Sequence, residues 1–89
     1  MRPMLLLFTA KDCPACAAAI PEFERFKGRN PMQMALQLDA DGPYVESMGM
    51  KQIRETPLYV LRLEEEGVTH VGLMKAEALE KWIRGIEKG

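Results

Sequence analysis

Apolar and polar positions change period several times along the chain, and each period predicts a different element. Met4 to Phe8, "MLLLF", is an unbroken apolar run between Pro3 and the polar "TAKD", the pattern of a buried strand. A helix follows from Cys13. Pro14 falls in its first turn, where a missing N–H leaves nothing unpaired, and "ACAAAI" has high helix propensity. Ile20, Phe23 and Phe26 or Lys27 continue a core-facing stripe at spacings of three and four. Pro21 is expected to kink this helix without ending it, and Gly28 is the expected stop.

Period two takes over at Met32–Asp39. Met32, Met34, Leu36 and Leu38 alternate with Gln33, Ala35 and Gln37, which predicts a strand. "DGPYVESMGM" predicts a short helix, with Asp41 as N-cap, Pro43 in the first turn and Tyr44, Val45 and Met48 turned inward. "ETPLYVLRLEEEGVTHVGL" reads as a hairpin: Leu58 to Leu63 is one arm, "EEEG" the turn and Val68 to Leu73 the other arm. "KAEALEKWIRGIEKG" closes as an amphipathic helix, with Leu79, Trp82 or Ile83, and Ile86 on one face.

The predicted order is β-α-β-α-β-β-α. Two strands joined through a helix lie parallel with a right-handed crossover, and the hairpin adds two antiparallel strands. The expected fold is α/β, a four-stranded mixed sheet flanked by three helices. At 89 residues, the chain is expected to form a single domain over residues 1–89.

Composition narrows the function classes. Hydrophobic residues at 47% and charged residues at 28% are those of a globular protein. The net charge of −1, with acids and bases mixed, gives no basic field for nucleic acid. No apolar run approaches the roughly 20 residues of a membrane helix. "MLLLF" is too short for a secretory core, so the expected location is cytoplasmic.

Both cysteines of the chain stand in "CPAC", at a predicted strand-to-helix junction. In a reducing compartment, close-spaced cysteines are more often catalytic or metal-binding than structural. A zinc site usually needs four ligands, and the one histidine, His70, is far along the chain, so no metal is expected. Thiol–disulfide exchange needs a thiolate, a second thiol to release the mixed disulfide and an open face for another disulfide. Cys13 at a helix N-terminus gains from unpaired N–H groups and the helix dipole, which lowers a thiol from its free value of about 8.5. Cys16, one turn on, is the expected resolving thiol. Lys11 adds positive charge nearby and Asp12 opposes it. Pro14 and the alanines keep the site small and rich in backbone, which suits docking of another chain. Two other readings use the same pair: core cysteines that are neighbours by chance, or thiolates of two chains sharing an iron–sulfur cluster.

"CPAC" after an apolar strand, "ETPLYVL" opening a hairpin and "VGLMKAEALEKWI" closing the chain together resemble the thioredoxin superfamily. The resemblance covers nearly the whole chain. It implies that Cys13 and Cys16 are the redox pair and that Pro21 is the family's helix-kinking proline. It implies further that Pro57 is a cis-proline facing the active site and that Gly72 lies in the substrate groove. A cis Thr56–Pro57 bond would let Thr56 offer its N–H and C=O to an incoming peptide.

The chain also departs from that pattern. Thioredoxins begin with a further strand and helix, for which there is no room before Met4. They carry tryptophan where Asp12 stands and a buried aspartate where Leu7 stands. The compact size resembles glutaredoxins, yet "GLMKAEAL" lacks their paired acids.

The resemblance implies a thiol–disulfide oxidoreductase acting as a small electron donor to disulfide-containing proteins, with ribonucleotide reductase as one such partner. A thioredoxin reductase or glutathione would restore the dithiol; no bound cofactor is implied, and a monomer is expected. A glutathione-dependent glutaredoxin is the alternative enzyme. A binding module with idle cysteines is the alternative of another class. Among the other residues, His70 reads as a strand residue on a solvated face and Glu64–Glu66 as a charged hairpin edge. The methionines read as core filler, with Met48 and Met50 as candidates for a docking surface, and Trp82 as a packing anchor.

Overall fold

Four consecutive large apolar residues, Leu5, Leu6, Leu7 and Phe8, have no exposed surface, which requires a strand covered on both faces. In the computed structural model this strand, β1 (Met4–Thr9), lies inside a four-stranded sheet. The structure describes residues 3–40, 53, 55–64 and 66–88. The expected short helix over Asp41–Met50 lies outside them. The remaining elements are α1 (Pro14–Arg29), β2 (Met34–Asp39), β3 (Leu58–Arg62), β4 (Gly67–Val71) and α2 (Ala76–Lys88).

The sheet order is β2-β1-β3-β4. β1 pairs in parallel with β2, Leu6 opposite Leu36, and antiparallel with β3, Leu6 opposite Val60. β3 and β4 form the hairpin, which Leu63 N–H closes onto Glu66 O at 2.8 Å. The parallel pair joined through α1 and the antiparallel hairpin are the arrangement the sequence pattern implies.

Alternation along β1 sends its side chains into two cores. Leu5 and Leu7 join Tyr59 and Leu61 of β3 and meet Phe23 and Phe26 of α1 and Leu79 and Ile83 of α2. Leu6 and Phe8 join Leu58, Val60 and Ala40 on the opposite face, with Ile53, Met4 and Leu38 against them. Each fully buried phenylalanine or leucine contributes about 1.5–3 kcal/mol, so the first cluster fastens both described helices to one face.

Two local expectations are corrected. Gly28 does not stop α1, which runs on to Arg29. The stop is Asn30: its backbone N–H reaches Phe26 O and Lys27 O, and its Nδ2 donates to Phe26 O at 2.9 Å. Pro31 follows and has no N–H to continue the ladder. His70 does not stand on a solvated face. It is half-buried, its ring 6.2 Å from that of Tyr59 and 6.0 Å from that of Trp82, because alternation turns it toward the face that α2 covers.

α1 and α2 are also tied by charge. Arg25 binds Glu22 and Glu77, Arg29 binds Glu77 and Glu80, and Asn30 Nδ2 donates to Glu80. The sequence before α2, "LMK", offers no capping side chain, so α1 supplies one: Glu22 Oε1 accepts from Ala76 N–H at 3.0 Å.

Candidate active site

The C-terminal end of β1, the start of α1 and the turn before β3 converge around the cysteines. Asp12 turns the chain out of the strand direction with a left-handed φ of +55°, a conformation that aspartate tolerates better than most residues. Cys13 is then extended and stands at the N-cap of α1, with Pro14 directly after it. Its Sγ accepts from Cys16 N–H at 3.1 Å, and its carbonyl accepts from Ala17 N–H at 3.1 Å. A thiolate at that position would have the first turn's N–H groups and the helix dipole aimed at it.

Cys13 and Cys16 are joined as a disulfide, with Cα atoms 5.2 Å apart. The two residues differ in access: Cys13 is half-buried, whereas Cys16, inside the first turn of α1, is 2% exposed. Pro14, Ala17 and Asp12 are exposed around them, and a shallow depression of about 600 Å³ opens there, lined also by Thr9, Ala10 and Ile20.

Thr56 closes the other side. Its carbonyl oxygen is 3.5 Å from Cys13 Sγ, and its Oγ1 donates to the same sulfur at 3.4 Å. The Thr56–Pro57 bond is cis, and Pro57 is buried. Pro57 O in turn accepts from Gly72 N–H at 2.9 Å, which carries the hairpin pairing one step past Val71. Gly72 has a φ of +107°, where side-chain-bearing residues are strained, although open space surrounds it. Val71 and Leu73, either side of Gly72, are exposed apolar residues. The structure therefore brings Cys13, Cys16, Pro14, Thr56, Pro57 and Gly72 into one neighbourhood, with Cys16 and Pro57 beneath its surface, although they come from three separate stretches of chain.

Leu7 occupies the position where the resemblance places a buried acid. It is fully buried in the apolar cluster and pairs with Tyr59. Met48 and Met50 lie outside the described residues. Tyr59 has a part that is not among the expectations from sequence. Tyr59 Oη accepts from Met74 N–H at 3.3 Å, and burial pushes its phenol upward from its ordinary value of 10.0. A tyrosine inside the apolar run "LYVL" was the available signal, because a buried hydroxyl requires a partner. With Glu22 on Ala76, it fixes the Met74–Ala76 segment that follows Gly72 and Leu73.

Among the described residues, no group of three or more His, Cys, Asp or Glu could hold a metal ion, and no helix is long and apolar enough to cross a membrane.

No protein-family model matches the sequence, and no curated protein matches it. Solved structures do match in shape. Chloroplastic thioredoxin z is 17% identical, with a TM-score of 0.78 over 99% of this chain and 80% of that one. Thioredoxin-2, described as a component of malaria parasite protein secretion machinery, is 17% identical, with a TM-score of 0.78 over 94% of this chain and 82% of that one. Fasciola hepatica thioredoxin is 19% identical, with a TM-score of 0.74 over 93% of this chain and 80% of that one.

Proposed function

We propose that this chain, which carries the thioredoxin-superfamily fold, is a thiol–disulfide oxidoreductase acting on disulfides in other proteins. The observation that carries the reading is the unequal access of two bonded cysteines at a helix start: Cys13 is reachable and Cys16 is covered. In the reduced chain the Cys13 thiolate attacks one sulfur of a partner disulfide. The partner's other sulfur leaves as a thiolate and takes up a proton. Cys16, deprotonated, then attacks Cys13 Sγ, the Cys13–Cys16 bond forms, and the second partner sulfur leaves as a thiolate. Two electrons pass to the partner. A thiol reductant returns them, either a thioredoxin reductase system or two molecules of glutathione that leave as their disulfide; no bound cofactor takes part.

Thr56 and Gly72 frame the docking strip. The Thr56 carbonyl stands beside Cys13, and the exposed Val71 and Leu73 offer apolar contact to an extended peptide laid along it. The sequence resemblance makes disulfide-containing proteins, ribonucleotide reductase among them, the first partners to try.

Two measurements test the reading together. The midpoint potential of Cys13–Cys16 is expected near the thioredoxin value of about −270 mV or the glutaredoxin range of about −200 to −230 mV. Cys16→Ser is expected to accumulate mixed disulfides with its substrates. Wild-type turnover by Cys16→Ser, or no reversible two-electron titration, would sink the proposal.

A further inference from the structure

β2 is an edge of the sheet among the described residues, and its backbone can be read for direction. Ala40 N–H donates to Thr9 O at 2.9 Å, so the polar groups of Ala40 face β1. Alternation in the parallel ladder turns those of Leu38 and Leu36 the same way. The N–H and C=O groups of Ala35 and Gln37 therefore point outward, away from the sheet.

An edge strand invites another strand, and proteins usually blunt it with a charge, a lysine or a proline. The stretch Met34–Leu38, "MALQL", contains none of these. Two of its apolar side chains are also open: Met34 and Leu36 are each 50% exposed, on the face where the cross-sheet row reads Leu36, Leu6, Val60. β4, the other edge, breaks that row with Thr69 and Gly67, and its apolar end lies beside the cysteine site.

What fits an outward row of N–H and C=O groups is an extended backbone, and this strand is complementary to itself. We propose that a second copy of the chain pairs antiparallel with β2 about a two-fold axis at Leu36. In that register Leu36 faces Leu36 of the second copy as a non-hydrogen-bonded pair, where side chains approach closely. Ala35 and Gln37 exchange N–H···O=C bonds on each side of the axis, using the groups that point outward. Met34 faces Leu38, extending the apolar row, and Gln33 faces Asp39, so no like charges meet. The two sheets become one continuous sheet, and no residue of the cysteine site takes part. A single edge pairing buries less than a standard interface of about 1,200–2,000 Å², so the dimer forms reversibly with concentration.

Sedimentation of the full chain from about 10 µM to about 1 mM, the span of weak complexes, reads this directly. The mass average is expected to climb from that of one chain toward twice that value. Leu36→Lys places like charges at the axis, and Gln37→Pro removes an outward N–H without touching the β1 ladder. Each is expected to stay at the mass of one chain, with an unchanged far-ultraviolet dichroism spectrum. In a Cys13→Ser, Cys16→Ser chain, Leu36→Cys is expected to oxidise to a covalent dimer roughly tenfold faster than Glu24→Cys on the exposed side of α1. A single-chain mass at the highest concentration, or equal cross-linking from Leu36→Cys and Glu24→Cys, overturns the proposal.

Discussion

Thr56 touches Cys13 through two atoms, its carbonyl oxygen at 3.5 Å and its hydroxyl at 3.4 Å from the sulfur, across 43 positions of sequence. In the reduced chain the two contacts act oppositely. The carbonyl accepts a thiol proton, and the hydroxyl donates to a thiolate.

Thr56→Val removes the donor and keeps the shape. A hydrogen bond to a charged group contributes about 1.5–3 kcal/mol, so alkylation of reduced Cys13 by iodoacetamide at neutral pH should slow roughly tenfold. The rate profile should move to higher pH as a whole. An unchanged profile would show that the hydroxyl does not serve the thiolate.

Tyr59→Phe strands the Met74 N–H in a buried setting, with no other change in packing. The expected loss is about 1–3 kcal/mol in urea melts, with the slope unchanged. The parent phenol should also titrate late in ultraviolet absorbance, since burial holds it neutral above its ordinary 10.0. Its contribution to stability is present below pH 10 and is lost as pH rises through the raised folded value.

Acid should weaken the α1–α2 contact. Glu77 is held down to about 2, first by its hydrogen bond from Arg25, and Glu22 is lowered first by the same guanidinium. Glu80 is lowered first by Asn30 and then by Arg29. All three are depressed from 4.5, so their contribution is present above that pH and is lost as pH falls from 4.5 toward about 2. The cluster is solvated, so the effect is modest and shrinks in salt. Melting temperatures of Arg25→Gln should fall less steeply than those of the parent across this window.

Asp12 tests the turn that precedes the site. Asp12→Val puts a β-branched residue at a φ of +55° and is expected to cost about 1–2 kcal/mol. Asp12→Gly should match or exceed the parent, because glycine adopts that region freely. Equal denaturation midpoints for the valine and glycine variants would show that the turn relaxes.

What was legible in the sequence was what local chemistry dictates. The unbroken run of Leu5–Phe8 announced a covered strand. The spacing of Cys13 and Cys16 beside Pro14 announced a helix start, and "ETPLYVL" announced a strand behind a proline. What stayed hidden depends on neighbours distant in sequence. Gly28 looked like a stop, but Asn30 caps with both backbone and side chain, and a solvated helix tolerates an interior glycine. His70 looked solvated because its cover, Trp82, arrives from another element. Glu22 read as one surface acid among several, and its work as a cap for α2 exists only once the helices have packed. The alternation of β2 correctly gave a strand, but it could not say that Met34 and Leu36 would lack a cover.

Leu79 and Ile83 complete the same apolar cluster that begins with Leu5 and Leu7. A ribosome therefore delivers the two cysteines long before it delivers the side chains that complete this cluster. Until residues 76–88 emerge, Phe23 and Phe26 lack that half of their cover, so α1 carries Cys13 and Cys16 on an unfinished scaffold. The last helix to be made is thus the one that decides when the first-made half of the core is closed.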